Sequence, residues 1–327
     1  MSQEVVEQTY PVSGRARLVI ANVRGSVIVR TGEPGTISIQ AVKHTDSGSR
    51  TEVRLFQDED GTVHAEARHE NGALGFMSFS KPMKVDFTAS VPPDTDLSAS
   101  VVSAGLVVTG LSGKVDLNGV SGNIELADLN GPLKVNVVSG DVSAARLAGA
   151  LNLETVSGDV HLHESLFGSA EVRTVSGDVE LQTPLGEGPY RFNSVSGDVR
   201  LLTQPEAKCT AELSTVSGRI IASMPQTANR LRGASQKLDI QGGGVLVKLH
   251  SVSGNLVIGT EAELSAQAVT EEAAIPVPPT PPEPLIPPEP PAPPVPPAAK
   301  LSTAEILEKI ERGEMSVEEG IKLINAQ

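Results

Sequence analysis

The chain has few aromatic residues. Of its 327 residues 2% are aromatic, with six Phe, two Tyr and no Trp. The core must therefore be built from Val, Leu, Ile and Ala, which suit thin, regularly layered packing. Polysaccharide-cleaving enzymes usually need aromatic sugar platforms beside clustered carboxylates and basic groups, and this composition offers little of that.

Basic residues are also scarce. The chain contains 26 Lys and Arg against 40 Asp and Glu, which gives a net charge of −14. Neutralising phosphates needs a surplus of basic residues, and binding single strands also needs aromatic platforms, so nucleic acid is excluded as a partner. The same charge argues against an anionic membrane surface.

Cysteine and long apolar runs are nearly absent. The single cysteine, Cys209, excludes an internal disulfide framework and a Cys-rich metal site. No run of 18 apolar residues exists, so direct membrane insertion is not expected. The first residues, MSQEVVEQTYPVSG, show no basic start followed by an apolar stretch, which predicts a cytoplasmic protein without a signal peptide.

The tripeptide Val-Ser-Gly recurs along the chain. Val102 begins a variant, Val-Ser-Ala-Gly, and the intervals from Val102 onward are 18, 18, 18, 19, 20, 21 and 36 residues. The last interval is twice 18, which predicts a degenerate copy at Ala234-Ser235-Gln236. A fixed period of this kind indicates stacked repeats. The valines of the regular array are Val120, Val138, Val156, Val175, Val195, Val216 and Val252.

Apolar residues alternate on both sides of each anchor tripeptide. Val160 and Leu162 follow one anchor, and Leu151 and Leu153 precede it, while Val179, Leu181 and Val172 hold the same inward positions around the next anchor. Alternation over short segments predicts half-buried strands, and a two-strand unit buries its apolar face only by stacking on its neighbours. The predicted fold class is therefore all-β, with a β-solenoid of about 18-residue coils over residues 95–265.

Residues 1–94 predict a β-rich capping section. Val23-Arg24-Gly25 fits the repeat with Arg in place of Ser, and strands are expected over residues 36–43, 51–57, 62–68 and 83–90. Asp58-Glu59-Asp60-Gly61 is a hairpin turn signal. Such a section would cover a coil edge that could otherwise pair with another chain.

Residues 266–300 form a proline-rich linker in the sequence. Residues 276–297 contain 14 prolines in 22 positions, a composition typical of a semi-rigid polyproline II spacer. A docking site for a proline-reading domain is the alternative.

Residues 301–327 predict a small α-helical hairpin. Ser302 to Glu305 and Ser316 to Glu319 are capping boxes, and Gly313 separates them. The segment is too short to bury its own core, so a protein partner or a second copy should cover its apolar stripe. The predicted partner-binding residues are Ile306, Leu307, Ile310, Val317, Ile321 and Ile324.

Aspartate follows the anchor glycine in four consecutive coils, as Asp141, Asp159, Asp178 and Asp198. These are candidate metal ligands, because calcium-binding β-rolls also carry repeated aspartates. The second glycine pair of those repeats is missing here, and Asn123, Arg219 and Asn255 occupy the same position in other coils. We therefore favour turn aspartates that accept hydrogen bonds from local N–H groups.

Other polar residues allow two further hypotheses. His161 and His163 point to one face of a strand and could start a metal site, but alignment places His161 beside Glu180 and then Arg200, which favours an outward charge ladder. Seven equivalent anchor serines indicate a structural role, because a nucleophile needs one activated residue. Each serine is expected to bond the backbone at a coil corner, with the glycine beside it at positive φ. No catalytic residue and no cofactor is predicted, and the protein is not expected to be an enzyme.

The repeat carries a resemblance. Residues 94–259, with Thr-Val-Ser-Gly-Asp-Val at 155–160 and 174–179, resemble the bacterial putative-adhesin family of β-strand-repeat proteins. The opening Asn22-Val23-Arg24-Gly25 and Val91-Pro92-Pro93 are similar to the same family, and the tail resembles a helical-hairpin module often fused to it. The resemblance implies a non-enzymatic scaffold, cytoplasmic in many members and often linked with envelope stress.

The leading functional hypothesis is an intracellular scaffold or interaction protein that assembles or docks through the C-terminal hairpin. A cell-surface adhesin with the proline-rich segment as a stalk is one alternative. A calcium-binding β-roll is another.

Overall fold

The computed structural model describes residues 2–45, 51–69, 83–232 and 235–260. All the regular secondary structure in these ranges is β-strand, which confirms the predicted all-β fold. The predicted linker of residues 266–300 and the predicted hairpin of residues 301–327 lie outside the described residues.

The N-terminal section contains six strands. The strands expected from the sequence agree with β3 to β6 within two residues, and β4 and β5 form the antiparallel hairpin predicted at Asp58-Glu59-Asp60-Gly61. The bounds are β1 Ser2–Pro11, β2 Arg17–Thr31, β3 Thr36–Thr45, β4 Thr51–Gln57, β5 Val63–His69 and β6 Lys84–Val91.

The remaining strands belong to the coils and to the C-terminal end of the stack. The regular coils are built from β7 Asp96–Thr109, β8 Val115–Ser121, β9 Ile124–Ala127, β10 Leu133–Ser139, β11 Val142–Ala145, β12 Ala148–Ser157, β13 Val160–His163, β14 Leu166–Ser176, β15 Val179–Gln182, β16 Tyr190–Ser196 and β17 Val199–Leu202. The last strands are β18 Cys209–Ser214, β19 Ile220–Ala222, β20 Gln226–Arg232, β21 Ser235–Ile240, β22 Val245–Ser253 and β23 Leu256–Gly259.

Each coil contributes to two parallel ladders. Strands that precede the anchors stack in one ladder, as in the pairing of β8 with β10 and of β10 with β12. Strands that follow the anchors stack in the other, as in the pairing of β9 with β11 and of β11 with β13. β2 and β7 are long enough to run through both ladders. Val115 pairs with Leu133 and Leu133 with Leu151, so the register advances by 18 residues per coil as predicted.

The inward side chains form one continuous apolar core between the ladders. The residues predicted to point inward are buried and lie on adjacent coils, which confirms the alternation argument. They are Leu153, Val160, Leu162, Val172, Val179 and Leu181.

The anchor glycines turn the chain from one ladder to the other. Gly177 has φ +129°, and a Cβ there would lie 2.2 Å from the carbonyl oxygen of Gly158 on the adjacent coil. Both the backbone conformation and the close stacking therefore require glycine. The predicted corner position is confirmed, since positive φ occurs at Gly140, Gly158, Gly177, Gly197 and Gly218.

The order of the last coils differs from the sequence prediction. β16 pairs with β22 instead of β18, and β18 packs on the far side of β22. The predicted degenerate coil at Ala234-Ser235-Gln236 is wrong, because Ser235 and Gln236 belong to β21, which runs antiparallel to β18. β21 and β20 instead cover an edge of the terminal coil that would otherwise be open for pairing.

The N-terminal strands extend the opposite end of the stack. β5 and β6 pair in parallel with the two halves of β2, which is itself a coil stacked on β7. β4 then pairs with β5, β3 with β6, and β1 with β3, all antiparallel. The change from parallel to antiparallel pairing ends the regular coil geometry at both ends.

Candidate functional site

The anchor valines form an exposed apolar row that we call the valine ladder. Eleven large hydrophobic residues are exposed in the part of the chain that the structure describes, and eight of them belong to this row. Seven of the eight are 43–53% exposed, and Val216, at the end of the stack, is 83% exposed. In spatial order the ladder is Val102, Val120, Val138, Val156, Val175, Val195, Val252 and Val216.

A second outward row, the polar column, runs beside the valine ladder two residues earlier on each coil. A groove of about 770 Å³ lies between the two rows and is lined mainly by apolar surface. Arg173 bridges to Glu154 on the adjacent coil, with 2.5 Å between Nη1 and Oε1, and these two are the column's only Asp, Glu, Lys or Arg residues. The column comprises Ser100, Asn118, Asn136, Glu154, Arg173, Asn193, His250 and Ser214.

Buried hydroxyl groups lie beneath the groove. Thr155, Thr174 and Ser194 border the groove on successive coils, and all three are buried. Within the described ranges their hydroxyl oxygens have no hydrogen-bond partner. These hydroxyl groups therefore lie on the core side of the strands, beneath the outward rows.

Sequence reasoning did not identify the valine ladder as a surface. The signal was present in the same alternation that located the core: Leu153 and Thr155 point inward, so Val156 must point outward. Valine is an apolar residue that is usually buried, so its residue type does not by itself indicate exposure.

The aspartate column binds the backbone of the next coil. Asp141 Oδ1 accepts a hydrogen bond from the Asp159 N–H at 3.0 Å, and Asp159 Oδ1 accepts one from the Asp178 N–H at 2.9 Å. Asp178 Oδ1 accepts the Asp198 N–H at 2.8 Å, and Asp198 Oδ1 accepts the Asn255 N–H at 2.8 Å. Each carboxylate therefore caps the corner of the adjacent coil, as in the favoured turn interpretation.

The same hydrogen-bond pattern between coils explains why Asn255 and Arg219 stand in place of aspartate in this column. Asn255 Oδ1 accepts the Arg219 N–H at 3.2 Å, so asparagine serves where one acceptor oxygen is enough. Arg219 lies in the terminal coil, where β19 pairs only with β23, and no further coil in the described part of the chain needs a cap from it.

His161 and His163 lie side by side on the outer face of β13. Their rings are stacked with centroids 6.2 Å apart, and His163 Nδ1 is 3.9 Å from Glu180 Oε1. His161 pairs with Glu180 and Glu180 with Arg200, which confirms the predicted neighbours. Among the described residues these two histidines and Glu180 are the one group of three whose potential ligand atoms lie within 4.8 Å of one another.

A comparison with protein families decides the family. The family described as Toastrack DUF4097 matches residues 16–259, from just before β2 to the end of β23. The chain belongs to this family. The match supports, at the level of the family, the resemblance predicted from the repeat. Among curated proteins, none gives a significant match to this Toastrack chain.

Solved structures similar to the Toastrack chain share little sequence with it. A "putative adhesin" from Bacteroides fragilis is 14% identical over 78% of this chain and 97% of its own, with a TM-score of 0.40. A "putative lipid binding protein" from Parabacteroides distasonis is 11% identical over 79% and 97%, also with a TM-score of 0.40. A "putative cell adhesion protein" from Clostridium sporogenes is 10% identical over 79% and 100%, with a TM-score of 0.26.

The cysteine of the Toastrack chain lies in the core. Cys209 is fully buried at the start of β18, and burial raises the pKa of its thiol to about 11. The thiol is therefore protonated near neutral pH and poorly reactive, because the thiolate is the nucleophile.

The remaining candidate residues of the Toastrack chain are outside the described residues. These are the partner-binding residues predicted in the tail, from Ile306 to Ile324. In the described ranges no helix is sufficiently long and apolar to cross a membrane.

Calcium is expected to leave the Toastrack chain unchanged. One Oδ1 atom of each of Asp141, Asp159, Asp178 and Asp198 already accepts a backbone N–H, so binding a cation would compete with these hydrogen bonds. Calorimetric titration should give no binding heat, and the thermal midpoint should not rise at millimolar calcium. Saturable heat that disappears in Asp159→Asn would contradict the turn role.

Proposed function

We propose that this Toastrack protein is a non-enzymatic intracellular scaffold linked to envelope stress, with residues 301–327 as its docking or assembly segment. The observation that carries the proposal is repetition: the polar side chains that could do chemistry recur in columns along the coils. The aspartates of one such column are occupied by backbone N–H groups. A stiff stack of equivalent coils offers extended binding surfaces, as in other repeat proteins.

The docking role of the tail can be tested by pull-down. Ile310→Asp and Ile321→Asp together place two charges in the predicted apolar stripe, and we expect loss of the captured partner or of self-association, because charged residues cannot replace apolar contacts at an interface. Glu308→Gln and Glu318→Gln, on the predicted solvated side, are the matched control. If the unmodified chain, the double aspartate variant and the control variant captured the same partners and had the same mass in solution, residues 301–327 would not have this role.

A cell-surface adhesin is the second candidate. It is favoured by the 14 prolines of residues 276–297, which suit a stalk, and by the exposed valine ladder. Cell fractionation distinguishes the two functions: the scaffold proposal expects the protein in the intracellular fraction and protection from protease added to intact cells. Cleavage by that protease would favour the adhesin.

A further inference from the structure

The valine ladder presents the same apolar side chain on eight stacked coils. The inward residue immediately before each valine varies, whereas the exposed valine does not; those preceding residues are Val101, Gly119, Val137, Thr155, Thr174, Ser194, Ser251 and Thr215. Strand propensity alone accounts poorly for this pattern, because Thr and Ile fit a half-exposed strand position as well. A contiguous exposed apolar row is typical of an interaction surface.

We propose that the valine ladder is a dimer interface, on which a second copy of this chain packs its own ladder in the opposite direction. Two copies of one ladder share the coil spacing of about 4.8 Å, so every valine of one copy meets a valine of the other. The two-fold axis passes between the coil of Val156 and the coil of Val175. This interface is independent of the role proposed for residues 301–327.

The charges beside the ladder fit this arrangement. The axis between Val156 and Val175 is the midpoint of the eight-valine ladder, and it places Glu154 of one copy opposite Arg173 of the other, twice. Glu154 and Arg173 are about half exposed and already paired within the chain. Arg173 is also paired with Glu171 of its own chain, and the dimer therefore has a central network in which two Glu154 and two Arg173 alternate. A self-complementary patch of this kind is what a two-fold interface requires.

The rest of the polar column is compatible with the same axis. Asn136 meets Asn193, Asn118 meets His250, and Ser100 meets Ser214, as follows from the coil order. Each pair combines hydrogen-bonding side chains without like full charges. By contrast, a parallel arrangement of the two ladders would reverse the strand direction of one copy, so the two polar columns would lie on opposite sides of the valines and Glu154 would not meet Arg173.

The area sets the expected strength. Eight coils and two adjacent outward positions give a strip about 34 Å long and about 13 Å wide, and the two copies together would bury about 1,000 Å². That value is near the lower limit for specific interfaces. We therefore expect a dimer that dissociates in the micromolar range, and sedimentation equilibrium over that range is the suitable measurement.

Charge reversal tests the pairing directly. Glu154→Arg and Arg173→Glu each create four like charges at the centre, and each variant should dimerise at least about tenfold more weakly than the unmodified chain. An equimolar mixture of the two variants should form a heterodimer, because the two positive side chains of one variant then face the two negative side chains of the other across the axis. Glu125→Arg makes the same charge change on β9, which stacks with the strands that follow the anchors. It should leave dimerisation unchanged.

Val156→Thr with Val175→Thr separates docking from folding. Threonine keeps the β-branched shape and strand propensity, so the unfolding midpoint should stay within a few degrees, while dimerisation weakens about tenfold. All proteins are measured as full chains, with and without Ile310→Asp and Ile321→Asp, so that association through the tail is separated from association through the ladder. The proposal would be overturned if the chain with an intact valine ladder were monomeric at about 100 µM both with and without the two tail substitutions. It would also be overturned if mixing the two charge-reversal variants did not restore the dimer.

Discussion

Replacing Gly177 by valine is expected to lower the free energy of unfolding by about 3–5 kcal/mol. The new Cβ would lie 2.2 Å from the carbonyl oxygen of Gly158, and the backbone there has φ +129°, a conformation that β-branched residues avoid. The atom in the way belongs to the backbone of the adjacent coil, so two corners would have to move apart. Urea denaturation of the full chain measures the change.

Two controls isolate the corner in this experiment. Ser176→Val adds a similar side chain at the exposed neighbouring position, and Gly168→Ala adds a Cβ where no atom lies within 4 Å. Both should change the free energy of unfolding by less than about 1 kcal/mol. If Gly177→Val were no more destabilising than Ser176→Val, glycine would not be required at the corners.

Introducing aspartate at Leu162 is expected to destabilise the middle coils by about 4 kcal/mol or more. Leu162 is fully buried in the apolar core and stacks between Ala144 and Leu181 on the neighbouring coils, so a carboxylate there would be surrounded by apolar side chains. Because each coil contacts only its neighbours, the loss should spread along the stack from this point. Thermal unfolding followed by circular dichroism measures it.

His161→Ser is the matched control for the core variant. His161 is the preceding residue on β13 and points outward, and exposed cross-strand pairs contribute about 0.2–1 kcal/mol. Its thermal midpoint should stay close to that of the unmodified protein. A midpoint for Leu162→Asp equal to that of His161→Ser would show that the inward and outward assignment is wrong.

The repeat unit could be predicted from the sequence because its signals are local. Alternation around Leu153, Val160 and Leu162 identifies the inward face within a few residues, and strand geometry allows no other choice. The glycine after each anchor serine marks the corner for the same reason, since positive φ is a property of the single residue. The turn role of Asp159 followed from its position beside such a corner.

The order of the coils could not be predicted in the same way. β18 and β22 both carry the apolar pattern of a strand that precedes an anchor, so either could have stacked on β16. In the structure β22 lies between β16 and β18, while β21 pairs with the other edge of β18 and β20 pairs with β21. The outcome depends on which arrangement leaves the fewest open edges, which is a property of the whole stack.

The sequence by itself determined the all-β class, the coil length, the inward residues and the corner glycines, because period-two alternation and positive φ are fixed by the residues of one coil. Only the tertiary structure decided the positions of β21 and β22, the backbone partners of the aspartates and the alignment of eight exposed valines beside Glu154 and Arg173. Those features join residues on different coils, and their contacts exist only after the coils have stacked in register.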